Sequence, residues 1–297
     1  MKNLYWILIG LFFCISCKKT DEIVTYDEVR SIKINNNITI DNGVTIHDPI
    51  FNYNTYEQFL KYLVTSNRFL IVQQKDFNST TSTDKVVLSI RHDIDDNINS
   101  AVKFAYREQK YGIKTTYFVL HTAPYYGVTR EKYFKRNDQV KDYLLRIQNW
   151  GHEIGFHNDL VTLQVVYSLS PKQFLKDELT WLRGNGLVIT GSTSHGSNYC
   201  YTYHYVNSYF WEGITGDPNG NFYNWEVVPK DNELITLEKD KPSNYDLDYE
   251  GYDLISDYFF ADCFFPNGKR WNMSMVNWDT IQPGKKVIIL LHSQHWD

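Results

Sequence analysis

Two carboxylates two residues apart, Asp93 and Asp95, follow directly on the apolar run Val86-Val87-Leu88-Ser89-Ile90. In extended backbone residues i and i+2 point to the same side, so both carboxylates face one way at the end of a buried strand. With Asp96 beside them, three acidic groups exceed what capping the next helix requires, and like charges crowded together call for a cation. Such a pair can supply one metal ligand and one general base, leaving Asp96 or Asn97 for the cap. A second polar cluster, Gly151-His152-Glu153-Ile154-Gly155-Phe156-His157-Asn158-Asp159, again sets histidine and carboxylate after a short apolar strand. Two later runs repeat the pattern. His195 follows Leu187 to Thr190 within Ser192-Thr193-Ser194-His195-Gly196-Ser197, and His292 follows Val287 to Leu291, ahead of His295 and Trp296.

These residues need elements to hold them, and strand and helix patterns alternate from about Phe51 to the end. Tyr56, Phe59, Leu60 and Leu63 at helical spacing precede Phe69 to Val72. Ala101, Phe104 and Ala105 give a helix face that Gly112 ends before the β-rich Thr115 to Leu120. Val140 to Trp150 reads as a helix closed by Gly151 before Glu153 to Phe156, and Phe174, Leu175, Glu178, Leu179 and Leu182 mark a helix before Leu187 to Thr190. Such alternation predicts an α/β fold with helices outside a parallel sheet, most economically a closed or nearly closed (β/α) barrel. Chemistry in that architecture sits at the carboxyl ends of the strands, where the polar clusters fall. Tyr199 to Tyr258, dense in Tyr, Trp, Asn and Asp, is expected to hold specificity loops.

The rest of the chain sets the compartment. Lys2, the apolar stretch Leu4 to Phe13 and Ile15-Ser16-Cys17 resemble a lipoprotein signal, with residues 1–16 removed and Cys17 lipidated. A stretch this short does not span a hydrocarbon core of roughly 30 Å. The expectation is an exported protein held on a bacterial membrane, in the periplasm or at the cell surface, with an uncleaved anchor or a plain secretory signal as the other readings of residues 1–17. Residues 17–50 read as a tether with short strands, and residues 51–297 suit one domain. A net charge of -5 without a basic stripe argues against nucleic acid as a partner. Cys200 and Cys263 lack metal-site spacing; in an oxidising compartment they can pair or remain buried thiols.

Taken together, the motifs resemble the NodB-type polysaccharide deacetylases, the family akin to carbohydrate esterase family 4, in a divergent subgroup whose first motif reads R-H-D-x-D. The resemblance is continuous over about Val86 to Leu160. His92-Asp93-Ile94-Asp95 is similar to the family's acidic strand end, Tyr111 to Val119 to its "yGi-x-aTfFv" strand, and Gly151 to His157 to its "GHEIG-x-H" motif. It implies a distorted or incomplete barrel of seven to eight strands and a divalent metal, zinc by preference. The implied reaction is hydrolysis of acetyl groups from a polysaccharide, with N-deacetylation favoured and O-deacetylation using the same parts.

By position the resemblance makes Asp93 the catalytic base, Asp95 and His157 metal ligands, and His292 the general acid. The family's second histidine, four residues after the first, is Val161 here. Zinc takes three protein ligands plus an open position, so His195 is the candidate third ligand and Asp159 the runner-up; a hydrogen-bonded loop histidine is the plain alternative for His195. His152 is expected to face away from the metal. Arg91 either orients Asp93 or merely pairs with it. Arg91, Asp159, Asp262, Trp271, His295 and Trp296 are the candidate substrate-binding residues, with a core tryptophan and a solvated aspartate as the other readings of Trp271 and Asp262. Val161 also sustains a rival function, a non-catalytic glycan-binding lipoprotein on a degenerate barrel. A glycoside hydrolase using Asp93 and a distant carboxylate leaves the histidines without a role.

Overall fold

The computed structural model describes residues 52–213, 226–264 and 271–296, so the expected signal (1–16) and tether (17–50) lie outside the described residues. In chain order the elements are α1 (Tyr53–Thr65), β1 (Phe69–Ile71), α2 (Gln74–Phe77), β2 (Val86–Ile94), α3 (Ile98–Lys110), β3 (Thr116–Leu120), β4 (Gly127–Arg130), β5 (Tyr133–Arg136), α4 (Val140–Asn149), β6 (Glu153–Asn158), α5 (Leu160–Tyr167), α6 (Pro171–Gly184), β7 (Ile189–Ser194), α7 (Asn198–Tyr203), β8 (Val227–Lys230), β9 (Glu233–Thr236), β10 (Tyr249–Glu250), β11 (Tyr258–Ala261) and β12 (Lys286–His292). Helix boundaries follow local chemistry. Asn52 caps α1 by accepting from the Thr55 N–H, and Asn97, not Asp96, caps α3 by accepting from the Ser100 N–H. After α3 and α4 the chain turns through Gly112 and Gly151 at φ +70° and +93°, where a side chain would be strained. No described helix is long and apolar enough to cross a membrane.

One all-parallel sheet runs in the spatial order β10-β7-β6-β3-β2-β12-β11, with β1 joined to the first half of β2. All nine residues of β2 are buried. On one side it pairs with β12; on the other it pairs first with β1 and then, from Arg91 onward, with β3. The terminal strands β10 and β11 do not pair with each other, so the sheet is an open, curled half-barrel rather than a closed cylinder. The curl is severe. On a flat sheet, the ends of β12 and β7 would stand four strand spacings apart, roughly 19 Å. Yet His292 and His195, at those ends, both bring Nε2 within 4 Å of Asp95, at 3.7 and 3.9 Å.

The two faces of the sheet bury different things. Outward, Ile90, Tyr117, Phe156 and Ile289 join Phe59, Phe104, Leu144 and Leu179 of the helices in the main core. Inward, Phe77, Val87, Leu254 and Ile288 close the amino-terminal end of the lumen. Above them the rings of Phe118 and Tyr249 lie over glycines. A Cβ on Gly155 would stand 2.4 Å from the Phe118 ring, and one on Gly191 would stand 2.0 Å from Tyr249.

Several elements differ from the sequence reading. β2 continues through Arg91 and His92 to Ile94, so that Asp93 lies inside the strand and Asp95 is the first residue past it. β7 begins at Ile189 rather than Leu187 and runs to Ser194, so that His195 is the first residue beyond it. The stretch expected to be loops contains α7, the β8–β9 hairpin and the sheet strand β10. Cys200, buried, and Cys263, half-buried, are not joined in a disulfide.

Candidate metal centre

Alternation along β2 turns Arg91 and Asp93 into the lumen and His92 out towards the helices. Arg91 grips Asp93 as a fork, Nε donating to Oδ1 at 3.1 Å and Nη2 to Oδ2 at 2.6 Å. Both side chains are buried, and the guanidinium is flanked by the rings of Tyr252 and Phe118 at 4.6 and 5.4 Å. Burial alone would lower the Arg91 pKa; the adjacent Asp93 carboxylate outweighs it and pushes it up. Arg91, expected among the substrate-binding residues, is fully enclosed and directed at Asp93.

Beside this pair, Asp95, His157 and His195 bring one ligand atom each within 4.8 Å of one another. His157 Nε2 lies 3.3 Å from Asp95 Oδ1 and 3.4 Å from Asp93 Oδ2, while its Nδ1 lies 2.9 Å from the Thr193 carbonyl. A carbonyl only accepts, so the proton sits on Nδ1 and a neutral ring turns its Nε2 lone pair on two carboxylate oxygens. Acceptor facing acceptor is stable only with a second ring proton or a cation between them. His195 repeats the arrangement, Nδ1 3.4 Å from Asp159 Oδ1 and Nε2 3.9 Å from Asp95 Oδ1.

Burial raises the proton affinity of Asp95, but the adjacent His157 ring, with His195 and His292, pulls it well below the usual carboxylate range. Burial lowers that of His195, and Asp159 with Asp95 and Asp93 pushes it up to about 9. This negative field, which holds protons on the rings, equally suits a divalent cation. The fit to an ion is good on two counts. Asp95 Oδ1 is buried without a hydrogen-bond partner, and ligands about 2.0–2.2 Å from a tetrahedral zinc would stand roughly 3.3–3.6 Å apart, a spacing that His157 meets at 3.3 Å from Asp95 and His195 exceeds slightly at 3.9 Å. Val161, the position the resemblance marks, is instead buried in the outer core on α5.

Facing this trio, β12 delivers His292. Its Nδ1 lies 2.6 Å from Asp262 Oδ1, its backbone N–H donates to Asp262 Oδ2 at 2.8 Å, and its Nε2 lies 3.7 Å from Asp95 Oδ2. Burial opposes the charge on His292, but Asp262, with Asp95 and Asp93, pushes its pKa up to about 10. Asp262 is fully buried and also accepts from Trp296 Nε1 at 3.1 Å, with His295 Nδ1 3.3 Å away.

The structure buries four more of the expected substrate-binding residues. Asp262 is the partner of His292. Trp296 is buried with its ring edge-on to Phe104 and Tyr56. Trp271 is buried with its ring stacked on Phe260 at 5.3 Å. Asp159 is buried, accepting from Thr122 Oγ1 at 2.6 Å, Thr162 Oγ1 at 2.5 Å and Asn207 Nδ2 at 2.8 Å. His295 lies beside His292, ring centroids 5.0 Å apart, against the buried Asp262.

Three other residues in the arrangement, Glu108, Glu250 and Gln294, carry no sequence signal. Glu108 of α3 is buried behind the sheet, accepting from Tyr56, from Thr115 Oγ1 at 2.7 Å and from Tyr117 at 2.6 Å, with His92 Nε2 at 2.6 Å. His152 joins this hub at 3.5 Å and lies 3.0 Å from the Ala105 carbonyl, on the outer side of the sheet. Glu250 of β10 accepts from Ser192 Oγ at 2.6 Å and the Ser194 N–H at 2.7 Å, tying down the strand end that carries His195. Gln294 donates to Asp95 Oδ2 at 3.2 Å.

No family model and no curated protein matches the chain. Among solved structures, a family 4 carbohydrate esterase from Bacillus anthracis aligns with it at 14% identity and a TM-score of 0.31, over 80% of this chain and 77% of that one. At that level of likeness the chemistry has to be read from the geometry of this site.

Proposed function

We propose that the chain is a metal-dependent hydrolase that removes acetyl groups from a polysaccharide, acting outside the cytoplasm on a membrane to which Cys17 anchors it. The observation that carries the proposal is that Asp95, His157 and His195 bring ligand atoms within 4.8 Å of one another, with His157 Nδ1 2.9 Å from the Thr193 carbonyl and His195 Nδ1 3.4 Å from Asp159 Oδ1. The sequence motifs support the acetyl group and the glycan, as an amide in preference to an ester. Asp95, His157 and His195 would hold the ion. When bound there, zinc supplies Lewis-acid polarisation of the acyl carbonyl and an acidified water.

The protein's own groups would do the rest. Asp93, fixed by the Arg91 fork, has Oδ2 3.4 Å from His157 Nε2 and so stands beside the proposed ion position as a proton acceptor. His292 holds a proton through the neutral range because Asp262 faces its Nδ1. That contact leaves the Nε2 proton directed at the centre, available to the departing nitrogen.

The purified protein, dialysed against zinc, should retain about one equivalent and release acetate from an acetylated glycan without new reducing ends. His195→Ala should weaken zinc by more than about 100-fold, beyond the loss usual for an outer partner. A protein that retains no zinc yet still binds the glycan would overturn the proposal in favour of a binding module, and new reducing ends would indicate glycoside hydrolysis.

A further inference from the structure

The two oxygens of Asp95 live in different surroundings. Oδ1 has no hydrogen-bond partner and faces His157 and His195. Oδ2 accepts from Gln294 Nε2 at 3.2 Å and has His292 Nε2 at 3.7 Å. A carboxylate oxygen only accepts, so the Gln294 amide must present its N–H₂ there. We infer that Gln294 is a positioning residue that occupies Asp95 Oδ2 and restricts this carboxylate to a single ligating oxygen. The inference rests on the reading of Asp95, His157 and His195 as ligands.

Gln294 is built to hold that place. It lies in the tight turn after β12, between two anchored neighbours. On one side Ser293 Oγ donates to the Asn97 carbonyl at 3.1 Å, fastening the turn to the start of α3. On the other, His295 and Trp296 both meet Asp262. The turn cannot shift without breaking one of these contacts, so the amide arrives with little freedom left to lose. The consequence for a hydrolase is direct. Three protein ligands that each give one atom leave a tetrahedral ion one open position for water, whereas an Asp95 engaging through both oxygens would occupy it or force a higher coordination number. His292 cannot substitute for the amide, because its Nε2 proton is the one the reaction hands on.

The probe is Co²⁺ alone, bound to the full protein and read by visible absorption, which weakens as coordination number rises. In Gln294→Met, close in size but without a donor, Asp95 gains the use of Oδ2. The expected result is a weaker, shifted Co²⁺ band with circular dichroism unchanged. Gln294→Asn, whose amide falls one methylene short, should give the same result and decides the matter if the Met variant folds poorly. A band of unchanged position and intensity in both variants overturns the inference while leaving the ligand set intact. A parent protein that takes up no Co²⁺ overturns the ligand reading itself, and this inference with it.

Discussion

Glu108→Gln is the substitution whose effect the structure defines most fully. Glu108 has no solvent exposure. Burial by itself would raise its pKa, but His92 and His152, with the Tyr117 hydroxyl, bring it from 4.5 down to about 2. A carboxyl whose folded pKa lies below its unfolded value stabilises the fold above the unfolded pKa and loses that contribution as pH falls through the folded one. Here the window runs from pH 4.5 to about 2. At ~1.4 kcal/mol per unit, the shift corresponds to ~3 kcal/mol at neutral pH. Hydrogen bonding leads to a similar figure. Oε1 meets Tyr56 and His92, and Oε2 meets Thr115 and Tyr117, so an amide nitrogen on either side faces two donors. One unsatisfied buried donor costs about 1–3 kcal/mol. Urea denaturation should therefore find Glu108→Gln roughly 3 kcal/mol less stable than the parent at pH 7, with the gap closing as pH falls from 4.5 towards 2. A gap under about 1 kcal/mol at pH 7, or one that stays constant into acid, would refute the reasoning.

The same geometry makes two further predictions. Asp262→Asn removes the charge that pushes His292 up to about 10. Because His292 donates only while protonated and loses its proton as pH rises, the alkaline limb of the acetate-release profile should move down by more than one unit; an unmoved limb assigns the donor elsewhere. Gly191→Ala sets a Cβ 2.0 Å from Tyr249, a ring whose hydroxyl is held by Glu153 at 2.8 Å, so about 1–3 kcal/mol should be lost in a denaturation midpoint. Gly184→Ala, with nothing within 4 Å, should lose none.

What the sequence makes legible here is whatever depends on a residue and its strand. Asp95, His157 and His292 stand out because a polar side chain follows an apolar run, and a parallel sheet sends all such ends to one rim. What it conceals depends on a partner far along the chain. Glu108 sits in Arg107-Glu108-Gln109-Lys110, which reads as a solvated helix face, and only the pairing of β2 with β3 shows that it meets His92, Thr115 and Tyr117. Asp262 and Trp296 look like rim residues until each is seen to bond the other. Trp271 is left open between a core ring and a substrate contact because strand β11, Tyr-Phe-Phe-Ala, shows no alternation to announce the ring of Phe260 stacked against it. β10 is two residues long, and its register depends on the room left by Gly191.

The departure at Val161 has a structural logic that bears on the choice between His195 and Asp159. A ligand at 161 would stand on the first turn of α5, and that turn packs Val161 into the outer core. β7 offers another route. His157 is the register partner of Thr193, and the His195 N–H donates to the Asn158 carbonyl at 2.8 Å, extending the ladder one residue past the strand. Alternation returns residue 195 to the face of residue 193, and so to the inner face that carries His157. Asp159 instead stands behind His195. Thr122, Thr162 and Asn207 already donate to its oxygens, and what remains is directed at His195 Nδ1. A carboxylate behind a histidine fixes the ring and its tautomer, so the residue beyond the first histidine keeps a part in the site by orienting a ligand from the neighbouring strand.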